Sequence, residues 1–449
     1  MIYYAAIDPD GNILGVEPTA DEAVDLALDA RPDATVAVEE LPKKSNPARY
    51  EQEDNPSVRK SVMRMGLKEI HGYSEIPSSA AKMKLEEAHA RVLPYFKGLS
   101  SKDGKEVTAY NTVGGMTDAF IGQNYKTKKK HPETKSKVMG LSLTPHHFVY
   151  EVAYRPKVYN LEGERAMPVP FTTLLRRRLP KKPRAFSLCT GSTRMCRDAC
   201  LVHSGMNSGP VYNTHRKSMQ TAALLNEPEA FMRILMSAVK KHECVAPAEG
   251  YLPFMRLNVL SDICWEAIAP WFFDHFSGLK FYDYTKIPGR VVPDNYDMTF
   301  SYGGGEGSER LCKREIETFG RKVAVVFIGH KPAKGDWTPL FKEKEYPMPE
   351  TFWGLPVLDG DVSDVRPLDK VAPAIVGLRW KVPSGERAGL ARQVDPTAEK
   401  YSFVTPTYIV EGKALYKHER PNPNPNREQF MIAAATPRFE SIIHSVGLP

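Results

Sequence analysis

From residue 185 onward, short runs of apolar and aromatic residues recur with helical or turn-forming sequence between them. They are AFSL (185–188), MRLNVL (255–260), LKFYDY (279–284), MTFSY (298–302), KVAVVFI (322–328), LPVLDG (355–360) and AIVGLRW (374–380). Most are spaced roughly 18–32 residues apart, the interval of strands that alternate with helices in a parallel sheet. About seven such units predict an α/β core built as a partial or full (β/α) barrel, with an open doubly wound sheet as the other arrangement. In either arrangement the carboxyl ends of the strands share one edge, where such folds place their chemistry. Cys189, Asp262, Asp283, Lys286, Ser301, His330, Asp359 and Asp361 all stand at or just beyond these runs.

The flanks read differently. In residues 1–42, YYAAID and ILGVE flank the turn PDGN, EAVDLALDA follows the capping pair Thr19 and Glu22, and ATVAVEEL closes the segment. That pattern predicts a small α+β module of hairpin, helix and strand. Residues 43–55 read as a linker, and 56–184 as a mixed region with a helix near SAAKMKLEEAHARVLPYF and a strand pair around LSLTPHHFVYEVAYRP. The barrel core is expected over 185–385. A C-terminal extension, 386–449, carries the stiff spacer RPNPNPNRE and a helix capped by Thr436 and opened by Pro437.

Composition adds limits. No apolar stretch approaches the ~20 residues that span a bilayer, and the start MIYYAAIDPDGN lacks the basic and apolar regions of a signal peptide. The expectation is therefore a cytoplasmic protein with reduced thiols and no membrane partner. The net charge is +7, from 61 basic and 54 acidic side chains. The excess is concentrated in two blocks, Lys126, Lys128, Lys129 and Lys130, and Arg176, Arg177, Arg178, Lys181, Lys182 and Arg184. Such blocks bind phosphate backbones or are simply solvated.

Three of the six cysteines, Cys189, Cys196 and Cys200, fall within LCTGSTRMCRDAC. In a reducing compartment, three clustered thiols favour a metal over crosslinks. An iron–sulfur cluster with three thiolates and one open iron is the leading reading. Zinc is the alternative, with His203 completing a Cys3His set. Gly, Ser and Arg in the loop offer N–H groups and positive charge to an anionic cluster. Cys244, Cys264 and Cys312 have no partners at metal spacing and read as small buried hydrophobes.

The segments CRDACLVHSG, MRLNVLSDICWE, KFYDYTK, MTFSYGGGEGSE, KVAVVF and LPVLDGDVSDVRPLD together resemble the phage and mobile-element family called gene product 88, over about residues 185–385. The resemblance implies a phage or plasmid origin, a barrel-like core and a cysteine-bearing loop. More distantly, a three-cysteine loop after a first barrel strand is similar to radical S-adenosylmethionine enzymes. The spacing here, C-x6-C-x3-C, departs from that superfamily's C-x3-C-x2-C, so S-adenosylmethionine as a cofactor rests on that similarity alone.

Further candidates surround the loop. Asp262 and Glu266, four apart in SDICWE, would share a helix face as general acid and base or as a substrate clamp, or Asp262 would cap the helix. Asp283 and Lys286 in YDYTK read as a catalytic pair or a strand-end salt bridge. Arg256 and Asn258, two apart on a strand, would point the same way and bind substrate together with Ser301, Asp359 and Asp361. GGGEGSE lacks the full phosphate-loop pattern, and DGDVSD, with Asp364, lacks the full calcium-loop pattern. Three functions follow. The first is an iron–sulfur enzyme that modifies a nucleic acid or nucleotide. The second is a zinc-bearing transglycosylase-like barrel that exchanges a DNA base, with Asp262 or Asp283 as nucleophile. The third is a non-enzymatic nucleic-acid-binding or host-takeover protein.

Overall fold

A computed structural model describes residues 3–7, 13–17, 37–41, 55–65, 76–97, 107–123, 134–145, 187–193, 196, 200, 211–333, 336–339, 346–380, 404–410 and 413–415. Both basic blocks, His203, the Pro/Asn spacer and the C-terminal helix signal lie outside these residues, as does the expected helix at EAVDLALDA. The chain divides into two units, Met1–Glu51 and Gln52–Pro449.

The first unit holds β1 (Tyr3–Ile7), β2 (Ile13–Glu17) and β3 (Ala37–Leu41), in the order β2-β1-β3. Both pairings are antiparallel, with Tyr4 opposite Glu17 and Tyr3 opposite Leu41.

The second unit opens with α1 (Pro56–Met65), α2 (Leu85–Phe96) and α3 (Val113–Phe120). Asn55 starts α1: its Oδ1 accepts from the N–H groups of Ser57 and Val58 at 2.9 and 3.3 Å, and Pro56 takes the first helical position. The same side chain donates to Gly289 O at 2.7 Å, fastening the helix start to the core. After β4 (Gly122–Gln123) and β5 (Ser136–Gly140) come the long helices α4 (Val211–Asn226) and α5 (Pro228–Ala248), separated at Glu227 where Pro228 forces a new start.

The remaining elements alternate. They are β6 (Leu252–Arg256), α6 (Trp265–Ile268), α7 (Pro270–His275), β7 (Lys280–Thr285), β8 (Tyr296–Ser301), α8 (Gly305–Phe319), β9 (Val323–Ala333), β10 (Asp336–Pro339), β11 (Thr351–Phe352), β12 (Leu355–Asp359), β13 (Ile375–Arg379), β14 (Val404–Val410) and β15 (Lys413–Leu415). The sheet runs β11-β12-β13-β9-β8-β7-β6-β5-β4. From β12 to β5 every pairing is parallel. β4 and β11 pair antiparallel at the two ends. The second half of β9 gains β14 in parallel and β10 in antiparallel.

The parallel α/β sheet thus stands as expected, with β5 to β9 side by side in chain order. A closed barrel is not shown: over the described residues the sheet is open, β4 pairing only with β5 and β11 only with β12. One face is packed by helices. Met255, Leu257, Phe281, Tyr296 and Met298 join one core with residues of α1 to α7. Phe273 anchors it, stacking on Tyr296 at 4.8 Å and meeting Phe281 edge-on at 5.1 Å. The other face is more polar, with a small cluster of Val138, Phe254, Tyr282 and Val365. Among the described residues, no helix is long and apolar enough to cross a membrane.

Several local expectations change. MRLNVL is strand only as far as Arg256, because β6 and β7 part after Met255 pairs with Phe281. Of AFSL only Ser187 and Leu188 lie among the described residues, and just after them Cys189 makes a parallel bridge with Asp262. His330 lies inside β9, opposite Pro339 and Tyr408, rather than after it. Cys264 and Cys312 are buried as expected, but Cys244 is exposed on α5.

Candidate functional site

The parting of β6 from β7 creates the site. Where the strands separate, the Asp283 side chain takes over from the missing backbone partner. Its Oδ2 accepts from Leu257 N–H and its Oδ1 from Asn258 N–H, each at 3.0 Å, and Tyr296 Oη donates to Oδ2 at 2.9 Å. Burial raises this carboxyl to about 6, against the opposing pull of Arg256, whose Nε stands 3.7 Å away, and of its three donors. Folded protein therefore binds this proton at higher pH than unfolded chain, so stability falls as pH rises from the ordinary carboxylate range through about 6. In Asp283→Asn that part of the slope should vanish. The check is the urea midpoint between about pH 4 and 7 for both proteins; parallel curves would contradict it.

Beyond Asp283 the chain loops from Leu257 to Cys264 around Asn258. Asn258 Oδ1 accepts from Ser261 Oγ (2.9 Å), Ile263 N (3.0 Å) and Trp265 Nε1 (3.2 Å). Its Nδ2 donates to Ile263 O at 3.0 Å and Tyr296 Oη at 3.4 Å. The amide is used up by its own loop. Asn258, expected to face the same way as Arg256, lies past the strand end and turns away, while Arg256 lies over the rings of Tyr282 and Tyr284.

The loop delivers Asp262 to the carboxyl edge of β7. Asp262 Oδ1 accepts from Thr285 Oγ1 at 2.8 Å and Oδ2 from Lys286 N–H at 2.8 Å, while Arg290 Nη1 reaches Oδ1 at 3.2 Å. Burial raises the Asp262 carboxyl, although Arg290 and the hydrogen bonds oppose it. Arg290, fully buried, also grips Glu266 with Nε and Nη2 at 2.8 and 2.7 Å. Asp262 and Glu266 do converge, but through this guanidinium and not as two exposed acid–base groups: Glu266 is sealed, and Cys264, not Asp262, precedes α6. Behind Arg290 the chain continues, with Arg321 donating to Arg290 O and to Glu315, and Glu315 accepting from Gly289 N–H at 2.5 Å.

The cysteine loop docks on this frame. Asp262 N–H donates to Leu188 O at 2.7 Å, and the Cys189 thiol points to Leu260 O at 3.5 Å. Burial holds the Cys189 thiol well above its ordinary value; Cys200, Asp262 and Cys196 add to this and Lys286 opposes it. The two other thiols therefore lie within electrostatic reach of the first, and all three are half-buried. No three His, Cys, Asp or Glu side chains among the described residues stand close enough to ligate one ion. Gly191 fits tightly: a Cβ there would meet Lys286 Cβ at 2.9 Å and Lys286 O at 3.1 Å, so only glycine lets the loop lie on the Lys286 backbone. Lys286 runs from there towards Gly303, at the start of the glycine-rich turn before α8.

Other expected residues stand farther along the edge. Ser301 ends β8, half-buried, opposite Ala324. Asp359 and Asp361 are tied to Arg379, whose Nη1 meets Asp359 Oδ1 at 2.8 Å and whose N–H meets Asp361 Oδ2 at 3.0 Å. Arg290, Thr285, Tyr296, Glu315 and Arg321 escaped sequence reading. The one signal was Arg290 itself, the cation that two acidic residues in an aromatic segment would need if buried.

A family model described as gene product 88 matches residues 156–393, more than half of the chain. The match takes in the second basic block, the cysteine loop and the strands β6 to β13. No curated protein and no solved structure matches the chain.

Proposed function

This chain belongs to the gene product 88 family, and from that premise we propose that it is a metal-dependent, phage-type enzyme acting on a nucleic acid or nucleotide. Cys189, Cys196 and Cys200 hold the metal, an iron–sulfur cluster, at the carboxyl edge of a partial (β/α) barrel. One observation carries the reading: the parallel bridge between Cys189 and Asp262 sets the first thiol on the edge where β6 and β7 end, within electrostatic reach of the other two. The donor set suits the group, since three soft thiolates are what a thiophilic metal takes. Cys189, fastened to the loop around Asn258, would hold the group together with Cys196 and Cys200. When bound, the cluster supplies an iron with an open position for a small molecule.

The chain's own residues do the rest. Asp262 fixes the cysteine loop and the Thr285–Lys286 turn to each other. Lys286 brings positive charge next to Cys189 and favours its thiolate. The block Arg176, Arg177, Arg178, Lys181, Lys182 and Arg184 precedes the loop in sequence and supplies charge for a polyanion.

Anaerobic purification tests the proposal. The expected product is brown, absorbs near 400 nm and contains iron and sulfide, and Cys196→Ser loses nearly all of it, because thiolates on one metal act as a unit. Colourless protein with stoichiometric zinc would transfer the site to the zinc reading. Full metal content in Cys196→Ser would remove the shared site altogether.

A further inference from the structure

The face of the sheet away from the helices carries polar groups that the fold leaves unsatisfied. Tyr282 Oη and Thr299 Oγ1 are fully buried and have no hydrogen-bond partner. Arg366, one per cent exposed, finds none for Nε and Nη1. Arg256 Nε has no hydrogen-bond partner either; the guanidinium lies 5.5 Å from the centre of the Tyr282 ring and 5.2 Å from that of Tyr284. These side chains form one cluster. Tyr284 and Thr299 are paired across β7 and β8, Tyr282 precedes Tyr284 on the same face, and Arg366 and Arg256 both act on Tyr284 electrostatically.

Buried polar groups without partners are rare, because each costs about 1–3 kcal/mol. Here the imbalance has a direction. Four residues offer unmet donors. The nearby Asp369 Oδ2 makes no hydrogen bond but stands 3.5 Å from both Arg366 Nη1 and Lys322 Nζ, an ion pair with each. The two hydroxyls can accept as well as donate and the guanidiniums only donate, so the cluster holds an excess of donors, and two guanidiniums are suited to an oxyanion. Asp364 also faces Arg256, Tyr282 and Tyr284, and Asp283 lies 3.7 Å from Arg256 Nε. Those carboxylates disfavour a dianion. Arg256 and Tyr284 are half-buried while Tyr282, Thr299 and Arg366 are sealed, so the cluster opens to solvent on the Arg256 side.

We propose that Arg256, Tyr282, Thr299 and Arg366 form a binding site for the carboxylate of a small organic acid on the inner face of the sheet, with Asp369 accepting from a donor on the same molecule. The site is independent of the metal. Its occupant carries a single negative charge and a neighbouring hydroxyl or amine.

Calorimetric titration of the full chain with acetate, lactate and inorganic phosphate, at ionic strength matched with chloride, tests it. Lactate and acetate should bind saturably, lactate more tightly, and phosphate should not. Tyr282→Phe keeps the ring and removes only the orphaned hydroxyl; it should weaken lactate about tenfold, the loss of one hydrogen bond to a charged group. Thr299→Val, of nearly the same shape, should weaken it in the same direction. Binding of phosphate in preference to both acids would overturn the carboxylate assignment. So would lactate binding untouched by Tyr282→Phe. Absence of any anion binding, with Tyr282→Phe raising the melting temperature, would show the hydroxyl to be a dry orphan or held by water, and no site at all.

Discussion

Arg290→Met should destabilise the protein by about 3–5 kcal/mol, the usual loss when one partner of a buried ion pair is removed. Three facts set that size. Arg290 is fully buried, its guanidinium holds Glu266 at two points, and it also reaches Asp262 and Ile263 O. Methionine fills most of the volume but leaves two buried carboxylates with no cation. The denaturant midpoint at neutral pH is the measurement. The loss should shrink as pH falls, because burial raises the Asp262 carboxyl and its protonation removes one of the uncompensated charges. The double variant Arg290→Met with Glu266→Gln should recover a large part of the loss, since a neutral amide needs no counter-ion. A single variant that melts like the parent would mean the pair is solvated rather than buried. Because Asp262 carries the bridge to Cys189, metal content in Arg290→Met should fall with stability.

Asn258→Ala should cost about 3 kcal/mol or more, from several buried groups left without partners at about 1–3 kcal/mol each. The deletion strands Ser261 Oγ, Ile263 N–H and Trp265 Nε1, which share Oδ1, and frees Ile263 O. Asn258→Asp separates the roles: it keeps the acceptor and loses the donor to Ile263 O, so it should be milder unless its charge is resisted by nearby Asp283. Thermal unfolding gives the order of the variants. If Asn258→Ala proved as stable as the parent while abolishing a catalytic activity, the amide would be serving a ligand after all.

Much of the fold was legible because sequence periodicity reports burial. LKFYDY, MTFSY, KVAVVFI, LPVLDG and AIVGLRW became β7, β8, β9, β12 and β13, and Pro228 stands at the boundary between α4 and α5. Those features are local: apolar side chains on a short run need a sheet, and proline cannot continue a helix. The convergence of Cys189, Asp262 and Lys286 on one edge was also legible, since parallel strands put their ends together.

The rest was set by contacts across long separations. MRLNVL looks like one strand, yet it stops at Arg256 because the Asp283 carboxylate, 26 positions beyond Leu257, offers its N–H group a better-placed acceptor than a continued ladder. Asp262 and Glu266 looked like a catalytic pair; a buried arginine 28 and 24 positions on decided that they are bound together instead. Arg256 and Asn258 looked like partners on one face, and the end of the strand between them sent one to the inner face and the other into a turn. By itself the sequence determined the order of the elements, the parallel sheet and the edge on which the cysteines gather. Only the tertiary structure decided which charges are neutralised and which donors stay unmet. A charge or a hydrogen bond is satisfied by whatever folding brings within about 3 Å, and no periodicity along the chain encodes that distance.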